Sequence, residues 1–246
     1  MMLALLYHRV GEGKYANPPA MMERHLAWIA NHFRVVLPGD PIKLSTLNIC
    51  LTFDDATFDF YHYVFPLLKR YNLRALLSVP THFIQKNTTL DPNERLSIPY
   101  STAMKDDIHR IHCPFCTWEE LQEMTHSGCV EIASHSVHHQ NLLLPGTDLD
   151  LEINGSKETL KKHLGISART FVYPLGKFNN SIHSQVKKNY EFAMRIGTAW
   201  NTSWQNMSGI VYRVISDNMI SYDQPLSFPK QISYFWFYFL NSSRGR

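Results

Sequence analysis

The sequence predicts an α/β fold in which one domain of 246 residues closes as a distorted or incomplete (β/α) barrel. Three observations point there. Short apolar runs of strand length alternate with longer stretches of helical period along most of the chain. Polar residues gather just after the expected strands, at Asp54 and Asp55, at Ser134 and His135, and at 174–176, where the active sites of barrels lie. No glycine-rich turn follows the first strand, which disfavours an open dinucleotide-binding sheet.

The elements follow in order. Residues 3–6 form a short apolar strand, and the Gly- and Pro-containing stretch 11–19 is a loop. A helix follows, because Met22, Leu26, Ile29 and Phe33 repeat at helical spacing. Residues 47–53 read as a strand ending at the Asp pair. Pro66 suits the first turn of a helix carrying Leu67, Leu68 and Tyr71, and 74–79 returns as a strand. Periodicity disappears over 85–116, which predicts an inserted loop that either lines a functional surface or is mobile. A helix at 118–126 stops at Gly128, and a strand at 129–133 runs into a histidine cluster. Residues 149–164 form the next helix, closed by Gly165. Strands at 170–173, 192–196 and 210–215, a helix near 181–189 and a last helix after Pro229 complete the pattern.

Composition narrows the classes. Hydrophobic residues make up 44% of the chain, ample for a real core. The balance of 24 basic against 21 acidic residues is too even to mark a nucleic-acid surface. The opening apolar run is broken at once by His8 and Arg9, so it does not read as a secretory signal, and the expected setting is cytoplasmic or peripheral to a membrane. The six apolar residues 235–240 are far short of the roughly 20 that span a bilayer, so no transmembrane segment is expected. Four cysteines, Cys50, Cys113, Cys116 and Cys129, are too few for a disulfide scaffold.

Three constellations carry chemistry. In Thr52-Phe53-Asp54-Asp55 two carboxylates stand at a strand end, where the alternation of faces breaks and both can turn into one pocket. Two carboxylates so close favour a shared proton or a cation, although a turn-capping pair reads equally well. In Ser134-His135-Ser136-Val137-His138-His139, His135 and His139 share a face if the segment is one helical turn. Thirteen histidines make a chance pair easy, so the combination is what matters. One Asp and two His at strand ends of one barrel form a two-nitrogen, one-oxygen metal site with open positions. In the third, Phe171 to Lys177, Pro174 and Gly176 allow the Leu175 and Gly176 amides to serve as anion-stabilising donors; a plain turn explains the same residues.

Thr-Phe-Asp-Asp, then His-Ser-x-x-His about eighty residues on, then Tyr-Pro-Leu-Gly, resembles the polysaccharide deacetylase family, the NodB-homology domains of carbohydrate esterase family 4. The likeness spans nearly the whole chain outside 85–116. It implies a distorted barrel of that type and a divalent metal, usually zinc, held by Asp55, His135 and His139. Asp54 is then the general base toward water attacking an acetamide carbonyl. An N-acetylated glycan is the implied substrate, with the Leu175 amide as oxyanion donor and Tyr173, Pro174, Gly176 and Trp200 as candidate substrate contacts.

Two departures stand out. Many relatives carry an Arg two positions before the proline to orient the base; here Val172 stands there, so either another cation such as Arg195 or Arg213 takes over or the task is absent. The usual late His acid is also missing, since no histidine follows His183. However, Leu6-Tyr7-His8-Arg9-Val10 resembles the opening of the circularly permuted subgroup that deacetylates poly-N-acetylglucosamine, which makes His8 the candidate acid.

The expected function is metal-dependent removal of N-acetyl groups from an N-acetylhexosamine-containing glycan. An amidase or imidase acting on a small substrate, or a noncatalytic carbohydrate-binding relative, would keep the same residues; a non-haem iron oxygenase would share the ligand types but not the adjacent Asp pair. Cys113 and Cys116 have zinc-knuckle spacing without a second half and read as free thiols, and His138 reads as facing away from the site. Trp200, Trp204 and the aromatic run 234–239 are expected chiefly to pack against the barrel.

Overall fold

The computed structural model describes residues 1–206 and 208–243. Seven strands form the barrel: β1 Met2–Tyr7, β2 Asn48–Phe53, β3 Ala75–Val79, β4 Val130–Ser134, β5 Thr170–Val172, β6 Phe192–Ile196 and β7 Val211–Ile215. All neighbours run parallel in chain order, and β1 pairs with both β2 and β7, so the ring closes. Every residue of β1 and β2 is buried, as expected of strands covered on both sides.

The ring is uneven in a specific way. β3 meets β2 only at Thr52↔Leu76 and Phe53↔Leu77, so the start of the same β2 edge is taken by a two-residue strand, Arg34–Val35. β4 and β5 share only the Ser134↔Phe171 register. The expected distortion is therefore a splaying of strand pairs on both sides of β3 and β4.

Alternation sorts the side chains into two cores. Met2, Ala4, Cys50, Leu76, Ala133, Val172, Met194 and Val211 form an inner cluster, several of them small enough for a narrow barrel. Their neighbours, Leu3, Leu5, Ile49, Leu51, Leu77 and Ile132, pack outward against Leu26, Leu68, Leu121 and Leu160 of the helices. The inward set continues upward from Cys50 to Thr52, from Leu76 to Ser78 and from Val211 to Arg213. Polar groups thus follow apolar ones toward the C-terminal rim, although Asn48 and Thr170 are also buried at the starts of β2 and β5.

The helices follow the sequence pattern with local differences. Pro19–His32 buries Met22, Leu26 and Ile29 as expected. The Pro66 helix, Phe65–Arg70, is preceded by a π-helical turn at Phe60–Val64, and the helix expected over 149–164 is a π-helical turn, Leu151–Gly155, leading into Ser156–Leu164. Residues 85–116 are not a plain loop. They hold three short helices, Pro92–Leu96, Tyr100–Ala103 and Asp106–His112, each too short to leave a periodic signal.

The last helix, Phe228–Ser243, docks by one side only. Tyr234 is buried and Trp200 Nε1 donates to the Gln231 carbonyl, but Trp236 is 65% exposed and Phe235, Phe237 and Phe239 are also open, so the aromatic run packs on the barrel only in part. Cys113 and Cys116 are buried free thiols, with Cys116 Sγ donating to the Thr57 carbonyl. No helix among the described residues is long and apolar enough to cross a membrane.

Candidate active site

The C-terminal rim of the barrel carries the site. Phe53 ends β2, and the chain turns sharply because Asp55 and Ala56 both adopt left-handed backbone, with φ of 70° and 52°. That turn is costly for non-glycine residues and is held by the fold around it. It brings both carboxylates to one side, Asp54 anchored by its N–H donating to the Tyr7 carbonyl.

Asp54 is buried and gripped. Arg213 donates from Nη1 to Oδ1 at 2.6 Å and from Nη2 to Oδ2 at 2.8 Å, and Ser78 Oγ donates to Oδ1 at 2.6 Å. Burial alone would raise the Asp54 pKa, but the Arg213 guanidinium, the nearby His135 and the bidentate hydrogen bonds overcome it and hold the carboxyl far below the usual range. Arg213, on the inward face of β7, stands in for the Arg missing at Val172; Arg195 does not line this cavity.

Beside it, Asp55 Oδ1 lies 3.3 Å from His139 Nε2 and 3.6 Å from His135 Nε2. The carboxylate's other oxygen, Oδ2, accepts from Tyr100 Oη at 2.8 Å. His135 Nδ1 faces the Val172 carbonyl at 2.8 Å; a proton there leaves Nε2 with a lone pair aimed at Asp55. Burial lowers the His135 pKa to about 4, so the imidazole is neutral, the form that ligates.

The two histidines do not meet on a helical turn. The 134–139 segment is an irregular loop in which Ser136 and His139 are left-handed, with φ of 64° and 51°. Ser136 Oγ accepts from the His139 N–H, and the Glu152 carboxylate accepts from the Val137 and His138 N–H groups. This network folds the loop back, placing the two ring centroids 4.7 Å apart. His138 points away, its Nδ1 2.6 Å from Glu152 Oε1, as expected.

These residues fit a divalent cation. Asp55, His135 and His139 each offer one donor atom within 4.8 Å of the others, and Asp55 Oδ1 is buried with no hydrogen-bond partner. An orphaned carboxylate oxygen facing two imidazole nitrogens is costly unless a cation or a proton lies between them, and the donor set suits a cation.

His8 follows β1 and lines the same cavity, of about 430 Å³, together with Asp54, His135, His139, Tyr15, Tyr100, Tyr173, Leu175, Gly176, Ile196, Ile215 and Asp217. Asp217 holds it twice, accepting from the His8 N–H at 3.0 Å and facing Nδ1 at 2.7 Å. Burial works against the charged ring, but the Asp217 hydrogen bond and the charges of Asp54 and Asp55 prevail and raise its pKa to about 9.

The third motif forms a 3₁₀ turn, Pro174–Gly176, with Leu175 left-handed at φ 57°. Gly176 also has positive φ, and its N–H is committed to the Tyr173 carbonyl at 3.0 Å. Pro174, the first residue of the turn, is buried and does not line the cavity, and Tyr173 Oη bonds His183 Nδ1 at 2.7 Å. Trp200 is placed elsewhere. Among the described residues no helix joins β6 to β7, so that connection runs back down the barrel until Asn201 bridges Met2. Trp200 therefore packs near Met1 and Leu47, away from the cavity, which corrects its expected substrate contact.

Sequence reasoning missed Ser78, Tyr100 and Asp217. Ser78 lies on the inward set of β3 and Asp217 just beyond β7, so the strand-end rule applied to every strand would have raised both. Tyr100, in the short helix Tyr100–Ala103, has no local signal.

A closed parallel barrel with two imidazoles and a carboxylate gathered at its C-terminal rim has the architecture of a barrel enzyme. The family model for polysaccharide deacetylase matches residues 43–193, and the chain belongs to that family. YxkH of Bacillus subtilis, provisionally named as a polysaccharide deacetylase, is 23% identical over 77% of this chain and 62% of its own length. The poly-beta-1,6-N-acetyl-D-glucosamine N-deacetylase of Staphylococcus aureus is 21% identical over 76% of this chain and 68% of its own. The chain thus spans about two thirds of these curated relatives. Among solved structures, a polysaccharide deacetylase of Bacillus cereus superposes with a TM-score of 0.72 at 19% identity, over 91% of this chain and 67% of that one. IcaB from Ammonifex degensii gives 0.69 at 21% identity, over 88% and 92%. These likenesses show a shared fold.

Proposed function

We propose that the chain is a metal-dependent hydrolase removing N-acetyl groups from an N-acetylhexosamine glycan. The observation that carries this reading is one cavity lined by an Arg-clamped carboxylate, two imidazoles that converge on the buried Asp55 behind them, and a carboxylate-paired histidine. Two imidazoles and one carboxylate suit zinc. A divalent ion held by Asp55, His135 and His139 supplies a Lewis acid that polarises a carbonyl oxygen and acidifies water.

The protein's own groups do the rest. Asp54 Oδ1 already accepts from both Arg213 and Ser78, whereas Oδ2 accepts only from Arg213 and lies 3.7 Å from His135 Nε2. Oδ2 is therefore the atom that takes a proton from the attacking water. Its basicity is weak because Arg213 favours the ionised form, but the carboxylate is always charged and correctly aimed. As the carbonyl carbon becomes tetrahedral, the Leu175 N–H donates to the developing oxyanion; the Gly176 N–H is already occupied.

His8 completes the hydrolysis. Protonated, with Nδ1 facing Asp217, it donates from Nε2 to the departing nitrogen as the C–N bond breaks. Acetic acid and a free amine leave, with one proton moved from the water onto Asp54 and one passed from His8 to the amine nitrogen; the acid ionises to acetate in solution. Tyr15, Tyr100, Ile196 and Ile215 give the cavity apolar faces suited to a sugar ring.

The substrate class rests on the family and on the name of the Staphylococcus aureus relative. Acetate release from β-1,6- and β-1,4-linked N-acetylglucosamine oligomers, compared with small amides and imides, tests it. Release from the oligomers is expected. Hydrolysis confined to the small compounds would replace the glycan reading with an amidase, and turnover of neither would leave a binding relative.

A further inference from the structure

A second group of metal-type donors converges where the segment 85–116 meets the barrel. His82 lies in the 3₁₀ turn Thr81–Phe83 that follows β3, and Asp106 and His109 sit one turn apart on the helix Asp106–His112, so they share a face. His82 Nε2 is 3.3 Å from Asp106 Oδ1, and the His82 and His109 ring centroids are 5.3 Å apart. One donor atom from each of the three lies within 4.8 Å of the other two.

The arrangement has features a plain His–Asp hydrogen bond leaves unexplained. His109 is 3% exposed, and its Nδ1 faces the Lys105 carbonyl at 3.2 Å. A proton on that nitrogen leaves Nε2 as a lone pair, the orientation that metal-ligating histidines use. A third donor, buried and set toward an existing imidazole and carboxylate pair, repeats the composition of the Asp55 cluster at a separate place.

The geometry points to a second cation site in which His82, Asp106 and His109 bind zinc or a similar imidazole-preferring divalent ion. Its position gives it a structural consequence. The turn carrying His82 is hydrogen-bonded to the catalytic loop, Thr81 N–H to the Ser136 carbonyl at 3.2 Å and His82 N–H to the Val137 carbonyl at 3.0 Å. The helix carrying Asp106 and His109 follows directly on the one carrying Tyr100, which holds Asp55. The ion clips the inserted segment to the barrel beside the active site.

The test is zinc stoichiometry of the full chain, stripped of metal, measured by equilibrium dialysis with elemental analysis. The variant combines His82→Gln and Asp106→Asn, near-isosteric changes at positions that bear little of the core, with circular dichroism to confirm the fold. A drop of one zinc per chain relative to the wild type is expected, whatever the wild-type number. An equal stoichiometry in the two proteins overturns the site. Two falling to one keeps the Asp55 cluster as well; one falling to zero retains the new site and removes the catalytic metal. In His139→Ala, zinc should still raise the melting temperature, and adding the two substitutions should abolish that rise.

Discussion

Arg213 Nη1 and Nη2 grip the two oxygens of Asp54 at 2.6 and 2.8 Å, joining β7 to the end of β2 across the barrel mouth. Both side chains are almost fully buried. Such a pair is costly to bury yet more costly to break, because the survivor is left as an unpaired charge. It engages Asp54 and leaves Asp55 to face the two histidines, and of the two Asp54 oxygens Oδ2 keeps the fewer hydrogen bonds.

Removing the clamp should harm stability and activity together. Arg213→Ala is expected to lower unfolding free energy by about 3–5 kcal/mol, as for other broken buried pairs. Urea denaturation reads this directly. Asp54→Asn keeps the shape and removes the proposed base, so kcat should fall by about 10²–10⁴. The carboxylate also sets an acid limit. Its folded pKa lies below its unfolded value of about 4, so its stabilisation is complete above that value. That stabilisation is lost progressively as the pH falls toward the folded pKa, and the gap between wild type and Asp54→Asn should narrow below pH 4.

His8 gives the opposite sign. Its folded pKa of about 9 exceeds the ordinary value, so its charge contributes stability that is complete below about 6.5 and is lost as the pH rises through 9. Imidazole titration by NMR on metal-free protein should find His8 near 9, and Asp217→Asn should move it down. Adding zinc should also move it down, since a cation offsets Asp54 and Asp55. A His8 that titrates at 6.5 or lower without metal would contradict its role as a charged acid.

Tyr100→Phe removes the bond that holds Asp55 Oδ2. Partners of this kind alter metal affinity by about 10–100-fold. Competition with a chromogenic chelator should show weaker zinc binding in the variant, with little change in melting temperature of the metal-free protein.

Trp200→Phe separates packing from recognition. The indole Nε1 donates to the Gln231 carbonyl at 2.8 Å, and losing that bond should cost about 1 kcal/mol. KM for any glycan should be unchanged, because the residue lies outside the cavity. A raised KM with unchanged stability would place a sugar near it after all.

Much of this arrangement is legible in the sequence because strand alternation is strict. Counting in twos from Cys50 reaches Asp54, from Ala133 reaches His135 and from Val211 reaches Arg213, which places the three on one inward set before any contact is known. The contacts themselves are harder to read. Tyr100 reaches Asp55 across 45 residues and Asp217 reaches His8 across 209, and no local pattern encodes either. The His135–His139 spacing suggests a helical turn, but left-handed Ser136 and His139 produce the same proximity by a folded-back loop. Left-handed backbone at non-glycine residues is at most weakly signalled by residue type, through the tolerance of Asp and His for it, and Asp55, Ser136, His139 and Leu175 all adopt it around this one site.

The most direct test of the central claim is acetate released from N-acetylglucosamine oligomers by protein stripped of metal and then reloaded with one equivalent of zinc, assayed beside Asp54→Asn loaded to the same occupancy. Activity that vanishes on stripping, returns with zinc and stays at least about 100-fold lower in the variant is the predicted result. Equal release by both loaded proteins, or by the stripped protein, would contradict the assignment of Asp54 and of the metal cluster beside it.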